Sequence, residues 1–467
     1  MLKPDKILNP TGRVNAFWRK MNSGMLPFAD VATPELPLSR LLRLALFQLT
    51  VGLSAALIIG TLNRVMIVEL HLAAWLVSLM ISLPLVLAPA RAFIGYKSDQ
   101  HQSSFGWKRL PYIWFGTLMQ FGGLAIMPFA LIVLSGDSHA PHYVGPLAAA
   151  LAFLLVGAGM HTTQTAGLAL ATDMAPEAAR PRVVGMLCVM LLAGIMAGAL
   201  GYGALLHHFS ELRLIQVVQG SAVLTMLLNG FALWKQEPRR ASTLAQQAPR
   251  PELRQALKIF LAQPKSLRRL VTIGLGTMGL SMQDILLEPY GGQILHLTVG
   301  QTTSLTAALA GGGLTGLAFA KYRLSAGADP YRIAALGLLV GLAAFAAVLF
   351  SAPLAEPALF AIGVYAIGTA GGLFLVGTLS DAMGQAVDGM SGLALGTWGS
   401  VQAVAAGLAI AFGGFLRDLV GGNSASGYDA VYLLEIGLLF VTLIALGPLV
   451  RRRTTATLSH LNPALKI

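Results

Sequence analysis

The chain repeats one feature along nearly its whole length, a stretch of about 20 mainly apolar residues. A bilayer core roughly 30 Å thick needs a helix of about 20 such residues to cross it. The alternation of apolar and polar residues that a membrane barrel would need does not recur. The sequence therefore predicts an all-α membrane protein with about twelve transmembrane helices. The predicted spans lie near 41–62, 71–92, 111–134, 144–172, 183–206, 212–234, 268–289, 302–320, 331–352, 357–380, 391–416 and 429–450.

The distribution of basic residues predicts how these spans are oriented. The net charge is +12, although only 11% of the residues are charged. Of the 32 Lys and Arg residues, all but Arg64, Arg213 and Arg417 fall in the terminal segments and in the loops on the same side as the termini. Cytoplasmic loops carry such an excess, so both termini are expected in the cytoplasm. The basic charge therefore indicates no nucleic-acid partner. The single cysteine, Cys188, excludes an internal disulfide.

A polar segment at 235–267 divides the spans into two groups of six. It contains Glu-Pro-Arg-Arg and Gln-Gln-Ala-Pro-Arg-Pro, a composition typical of a linker. Apolar residues at helical spacing, both here and in the basic segment 1–40, predict short helices lying in the membrane surface. Such helices either brace the spans or dock a partner protein. The expected units are 1–40, a first bundle 41–234, the linker, a second bundle 268–450 and a tail 451–467.

The two predicted bundles share faint sequence similarity. The triplet Gly-Leu-Ser at 52–54 recurs at 279–281, within the first and seventh spans. The triplet Leu-His-Leu at 70–72 recurs at 295–297, two residues out of register with the first match. Together with the central linker, these matches favour two parallel six-helix repeats.

Two loops carry motifs that resemble those of the major facilitator superfamily, whose fold consists of two six-helix repeats. The residues concerned are Gly95, Asp99, Gly106, Lys108 and Arg109 after the second span, and Asp173, Pro176 and Arg180 after the fourth. The corresponding loop after the tenth span keeps Asp381 without the basic residues. A cation-rich gate is therefore expected only in the first half. The alternative is a basic turn that only sets the topology.

Two acidic residues lie inside the predicted seventh span. Asp284 and Glu288 are four residues apart, so a helix would bring them to one face, and Pro289 ends or kinks that helix. Charged groups within a span are costly and are functional candidates by default. The pair has the chemistry to relay protons, bind a cation or ligate the magnesium of a tetrapyrrole. The alternative is that both carboxylates lie at the outer water interface.

Three further polar residues are candidates for a site or a structural role. His161 lies in the middle of the fourth span, where a neutral imidazole can ligate pigment magnesium or simply bond to a neighbouring helix. Arg64 and Glu69 flank the turn between the first two spans, where a local ion pair is favoured over ligand binding. The chain has no phosphate loop, dinucleotide fingerprint or nucleophile elbow, so no enzyme is indicated, and no metal is expected beyond pigment magnesium.

Three long stretches are similar to a single family. They read Thr-Leu-Asn-Arg-Val-Met-Ile-Val-Glu-Leu from Thr61, Pro-Tyr-Ile-Trp-Phe-Gly-Thr-Leu-Met-Gln-Phe-Gly-Gly from Pro111, and Gln-Asp-Ile-Leu-Leu-Glu-Pro-Tyr-Gly-Gly-Gln from Gln283. They resemble the PucC/LhaA family, the bacteriochlorophyll-delivery branch of the major facilitator superfamily in phototrophic bacteria. The resemblance extends over nearly the whole chain.

The resemblance implies an assembly factor for bacterial light-harvesting complexes, LH1 or LH2, in the photosynthetic inner membrane. Such a factor would deliver bacteriochlorophyll, shepherd antenna polypeptides, or both. The implied partners are antenna polypeptides, the reaction centre–LH1 complex, bacteriochlorophyll synthase and the lipid bilayer. Asp284, Glu288 and His161 would then be the candidate pigment ligands.

A second function from a different class competes with the first. It is a proton-coupled secondary transporter of a small molecule that uses Asp284 or Glu288. The small number of charges within the spans favours the assembly factor, because a transporter of polar solutes needs several polar contacts near the midplane.

Overall fold

The computed structural model describes residues 37–86, 88–89, 107, 109–135, 141, 143–176, 180–237, 261–384, 391–421 and 424–450. Every regular element in this part of the chain is helical. The first half contains α1 (Leu38–Ala55), two π-helical segments (Ala56–Leu62 and Val65–Glu69), α2 (Ala74–Val86), α3 (Leu110–Leu134), α4 (Val144–Met174), α5 (Arg180–Leu205) and α6 (Glu211–Leu233).

The second half has the same number of spans. It contains α7 (Ser266–Ser281), a 3-10 turn (Met282–Ile285), α8 (Leu287–Gln293), α9 (Val299–Ser325), α10 (Pro330–Ser351), α11 (Pro357–Gly384), α12 (Ser391–Val420), α13 (Ala425–Leu446) and a final 3-10 turn (Gly447–Leu449). Among the described residues, eleven helical stretches are long and apolar enough to cross a membrane, and α2 is a shorter apolar helix. The protein is therefore a multi-pass membrane protein.

Corresponding helices of the two halves pack in the same way. In the first half, α1 packs against α5, and α3 packs against both α4 and α6. In the second half, α7 packs against α12, and α10 packs against both α11 and α13. Two six-helix halves of the same plan make up the bundle.

The bundle has two ends that are distinguished by their turns. We call the end that holds the turns after Glu69 and after Gln293 the turn end. The opposite end, where Gln236 follows α6 and receives hydrogen bonds from Arg40 at the start of α1, is the linker end.

The halves meet along two helix pairs, α2 with α12 and α5 with α9. Gly203 of α5 and Gly300 of α9 allow close backbone contact. A Cβ on Gly203 would lie 3.1 Å from the carbonyl oxygen of Gly300, and a Cβ on Gly300 would lie 2.9 Å from the carbonyl oxygen of Gly203. Toward the turn end, the N–H of Trp75 donates to Asp418 Oδ2 at 2.8 Å. The two halves are thus in direct contact at the turn end.

The first and seventh spans differ from the predicted single helices. The first span runs from Leu38 to Glu69 and extends beyond the predicted end at 62, because its last two turns are π-helical. The seventh span is interrupted at Met282–Ile285, where a 3-10 turn separates α7 from α8. Both irregular stretches lie toward the turn end and face each other across the two halves.

An ion pair holds the linker end of the first half. Arg109 Nε lies 3.3 Å from Asp173 Oδ2, so residues of both predicted loop motifs meet here. The N–H groups of Arg109 and Leu110 donate to the carboxylate of Glu237 at 3.1 and 2.9 Å, which places a negative charge at the start of α3. Pro176 lies in the link after α4.

The second half also has a cation at the corresponding place. Arg269 Nε of α7 lies 3.6 Å from Asp381 Oδ2, which also accepts a hydrogen bond from the hydroxyl of Tyr331 at 2.7 Å. The loop after the tenth span has no basic residue of its own in the sequence, and the cation that pairs with Asp381 comes from α7 instead.

Several sequence predictions fall on residues that the structure does not describe. They concern Gly95, Asp99, Gly106, Lys108 and the side chain of Arg180. The predicted surface helices before residue 37 and in the linker, and the tail after residue 450, also lie outside the described residues.

Candidate functional site

A proline and an asparagine from opposite halves account for the break in the seventh span. Pro289 has no backbone N–H, so it cannot donate to the carbonyl of Ile285 four residues earlier, as a helix would require. Asn63, which is fully buried in the π-helical end of the first span, donates to that carbonyl through Nδ2 at 2.6 Å. A side chain of the first half therefore replaces a backbone hydrogen bond of the second half.

Glu435 of α13 satisfies a second backbone group of the break. Its Oε1 accepts a hydrogen bond from the N–H of Gln283 at 2.8 Å. Glu435 is completely buried, and its Oε2 has no partner with hydrogen-bond geometry among the described residues. Sequence reasoning missed this residue, although a lone glutamate within an apolar run was a usable signal.

Glu288 of α8 lies between the two halves. Its side chain is 3% exposed, and Oε1 accepts a short hydrogen bond from the hydroxyl of Thr306 in α9. The same oxygen lies 2.5 Å from the position that a Cβ on Gly60 would occupy, so a larger residue there would displace the carboxyl of Glu288. Glu288 Oε2 has no partner with hydrogen-bond geometry in the described part of the chain.

Asp284 has a different environment from Glu288. It belongs to the 3-10 turn, is only partly buried, and accepts a hydrogen bond from Gln283 Nε2 at 2.6 Å. The spacing of the two acids predicted one shared helix face, but the break places them in separate elements with separate partners. They do not act as a simple pair on a continuous helix.

His161 lies in another part of the bundle. It is partly buried in α4, a helix that packs against α1, α2, α3 and α5. Its backbone carbonyl accepts a hydrogen bond from Thr165 Oγ1 at 2.7 Å, and Gln164 Nε2 lies 3.4 Å from Gln48 Oε1 of α1. His161 thus belongs to a polar stretch of the first half, whereas both acids belong to the second.

Arg64 and Glu69 form an ion pair at the end of the first span. The arginine side chain is buried, whereas the glutamate is about one-third exposed. Arg64 also contacts the second half. Its Nη2 lies 3.4 Å from the carbonyl oxygen of Leu297, and its guanidinium group packs against Gly292. The pair is local in sequence, but it also joins the halves.

Arg417 forms a second charged contact at the turn end. It is buried and donates to Asp418 Oδ1 and to Gln293 Oε1, both at 2.6 Å. Because Asp418 also accepts from Trp75, this cluster ties together α2, α8 and α12. The distribution of basic residues in the sequence predicted only the side of the membrane on which Arg417 lies.

The three candidate pigment ligands differ in how far a tetrapyrrole could approach them. Imidazole and carboxylate groups both suit magnesium as axial ligands. Asp284 and His161 are each partly exposed as residues, so they are less enclosed than Glu288. Glu288 fits it poorly in this conformation, because Gly60 and Thr306 enclose its carboxyl group.

Comparison with known sequences finds one family and close relatives. A family model described as PUCC protein matches residues 61–454. An uncharacterized protein in the puhA-bchM intergenic region of Rhodobacter capsulatus is 52% identical over 439 residues, covering 91% of this chain and 92% of that protein. Protein PucC of Rhodovulum sulfidophilum is 54% identical over 401 residues, covering 85% of this chain and 88% of that protein.

Comparison with solved structures finds the same architecture in a transporter. The nucleoside transporter NupG superposes with a TM-score of 0.65 at 14% identity, covering 88% of this chain and 99% of that chain. At such low identity the likeness shows the fold alone. It is the major facilitator superfamily fold, with two six-helix repeats, as the loop motifs predicted.

Proposed function

This chain belongs to the PucC family, and we propose that it is an assembly factor for bacterial photosynthetic light-harvesting complexes, LH1 or LH2. The observation that carries the proposal is the extent of the family match. It spans residues 61–454, from the π-helical stretch of the first span to just past the last span. It therefore includes Asn63, which joins the two halves at the interrupted seventh span, and Glu435, which bonds the same interruption from within the second half.

The proposed cargo is bacteriochlorophyll, antenna polypeptides, or both. Bound bacteriochlorophyll would supply a magnesium ion that takes an axial ligand. Either Asp284 or His161, both partly exposed, would provide that ligand, and the apolar helix surfaces would hold the macrocycle. The surface of α3 suits such cargo, since Phe115 and Phe129 are 59% and 63% exposed on it. Single-span antenna helices would pack on the same kind of surface.

The proposed location is the photosynthetic inner membrane with both termini in the cytoplasm. The support is the concentration of Lys and Arg on the side of the termini. There the chain would meet the antenna polypeptides, the reaction centre–LH1 complex and bacteriochlorophyll synthase.

A complementation experiment tests the assembly function. The full chain is expressed in a phototrophic bacterium whose own PucC gene has been deleted, and antenna absorbance in the near infrared is measured in isolated membranes. We expect the absorbance to be restored and antenna polypeptides to co-purify with the chain. Normal membrane insertion of the chain without any gain in antenna absorbance would contradict the proposal.

Matched variants of the same chain test pigment ligation. Asp284→Asn or His161→Leu, whichever removes the magnesium ligand, is expected to reduce near-infrared absorbance per mole of folded protein several-fold. Glu288→Gln, compared on folded protein only, should leave it unchanged because that carboxyl is enclosed. Full absorbance in both of the first two variants would mean that neither residue ligates the magnesium.

A proton-coupled secondary transporter is the second candidate. The observations that favour it are the transporter-like fold and the enclosed carboxyl of Glu288 where the halves meet. This candidate predicts a colourless purified protein and no effect of the chain on antenna absorbance. The complementation experiment therefore separates the two functions.

A further inference from the structure

The carboxyl group of Glu288 lies where irregular segments of both halves meet. Gly60 in the π-helical stretch contacts Oε1, and the hydroxyl groups of Thr303 and Thr306 in α9 face the same carboxyl. The side chain of Glu288 is only 3% exposed, so water cannot solvate its carboxyl group freely. Helix interruptions of this kind expose backbone and side-chain oxygens that bind cations in other membrane proteins.

Several buried oxygens at this junction lack a hydrogen-bond partner in the described part of the chain. They are Glu288 Oε2, Asn63 Oδ1, Thr61 Oγ1 and Thr303 Oγ1, and the buried donor Arg64 Nε also lacks a partner with hydrogen-bond geometry there. Asn63 is held in place at the break, because its Nδ2 donates to the carbonyl of Ile285. Buried polar atoms without partners are costly, so a cluster of them requires an explanation. Most of these atoms are acceptors, which is the pattern that a bound cation would satisfy.

The charges around the junction also favour a cation. The nearest basic group, Arg64, is already paired with Glu69. Glu288 is therefore a surplus negative charge beside that ion pair. The two titratable groups that bond to Gln283 at the break, Asp284 and Glu435, are acidic as well. In a low-dielectric environment an uncompensated carboxylate is strongly disfavoured.

We infer that this junction binds one monovalent cation of the size of Na⁺. Glu288 is the charged ligand, and the side-chain oxygens of Asn63, Thr61, Thr303 and Thr306 complete an oxygen-only site. A monovalent ion fits better than a divalent one, because no group of three or more acidic, histidine or cysteine side chains suited to a metal occurs among the described residues. The ligands come from both halves, so the ion stabilises their contact at the turn end.

The inference is tested on the full chain purified in detergent, independently of antenna assembly. Thermal unfolding is measured in Na⁺ and in choline at equal ionic strength and pH, together with equilibrium binding of radioactive Na⁺. We expect saturable binding of one Na⁺ per chain. A concentration about 100-fold above the dissociation constant is expected to raise the melting temperature by roughly 5 °C.

Variants locate the site. Glu288→Gln should abolish both Na⁺ binding and the rise in melting temperature that Na⁺ causes. Thr306→Val leaves the carboxyl in place and should weaken Na⁺ binding about tenfold. Glu435→Gln is the matched control, because it removes another fully buried carboxyl but should leave Na⁺ binding intact. If Glu288→Gln fails to fold, the Thr306→Val variant still decides the question.

Two results would overturn the inference. One is equal stability in Na⁺ and choline with no saturable binding. The other is a melting temperature that depends on pH but not on Na⁺, with this pH dependence lost in Glu288→Gln. That result would mean that Glu288 carries a proton instead of a cation.

Discussion

The first and seventh spans begin alike and then diverge. Each runs as a regular α-helix through a Gly-Leu-Ser triplet, at 52–54 and at 279–281. Immediately afterwards both lose α-helical geometry, since α1 ends at Ala55 and α7 at Ser281. The first span then widens into π-helical turns, whereas the seventh tightens into a 3-10 turn and breaks.

The turns that follow the two spans are equivalent again. His71 and His296 occupy the same place in their Leu-His-Leu triplets and have positive φ angles of 52° and 54°. The triplets are offset by two residues relative to the Gly-Leu-Ser match. A π-helical turn contains more residues than an α-helical turn, and a 3-10 turn contains fewer. The offset is therefore absorbed where the two spans differ in helix type.

This difference makes the two spans complementary. The widened first span presents Gly60 and Asn63, and the broken seventh span presents Glu288 and the free carbonyl of Ile285. The first span supplies what the seventh lacks: Gly60 leaves space for the carboxyl of Glu288, and Asn63 supplies a donor for the carbonyl of Ile285. The two segments therefore stabilise each other only while the halves are in contact at the turn end.

The largest expected effect comes from removing the donor at the break. Asn63→Leu leaves the buried carbonyl of Ile285 unpaired and is expected to lower the free energy of unfolding by about 1–3 kcal/mol. Pro289→Ala restores a backbone N–H that can donate to the same carbonyl. In that background Asn63→Leu should cost much less, with a coupling of about 1–2 kcal/mol, measured by thermal unfolding in detergent.

Asn229 provides the control for this double-mutant cycle. It is also fully buried and exchanges hydrogen bonds with Thr50 and Thr117, but all three residues lie in the first half. Asn229→Leu should destabilise the protein to a similar degree without any coupling to Pro289→Ala. An equal cost of Asn63→Leu in both backgrounds would show that Asn63 does not compensate for the proline.

The sequence was sufficient for much of the fold but not for these contacts. Apolar stretches and basic loops predicted the spans, and Pro289 predicted an irregularity in the seventh. Hydropathy does not distinguish α, π and 3-10 turns, so the widened end of the first span could not be foreseen. The partner of the Ile285 carbonyl is 222 residues away in sequence, and its identity depends on how the halves pack.

An intermediate loss of stability is expected when the backbone N–H of Gln283, the second backbone group at the break, loses its acceptor. Glu435→Leu removes the acceptor for the N–H of Gln283 and should lower the free energy of unfolding by about 1–2 kcal/mol. Glu435→Gln keeps a carbonyl acceptor and should change stability by less than about 0.5 kcal/mol. Equal melting temperatures for the two variants would show that the hydrogen bond to Gln283 contributes nothing.

The smallest expected effect tests whether the two turns are equivalent. His71 and His296 are exposed and have left-handed backbone conformations, which cost an L-residue other than glycine roughly 1 kcal/mol. Replacing either by glycine should leave the protein as stable or stabilise it by up to about 1 kcal/mol, and replacing either by valine should destabilise it by about 1 kcal/mol. Ala355, which is also exposed at a φ of 52° in another turn, is the control for a purely backbone effect. If the two turns are structural equivalents, both histidine sites will respond like Ala355→Gly. A large effect at only one histidine, measured by thermal unfolding, would mean that its side chain has acquired a role that the other half lacks.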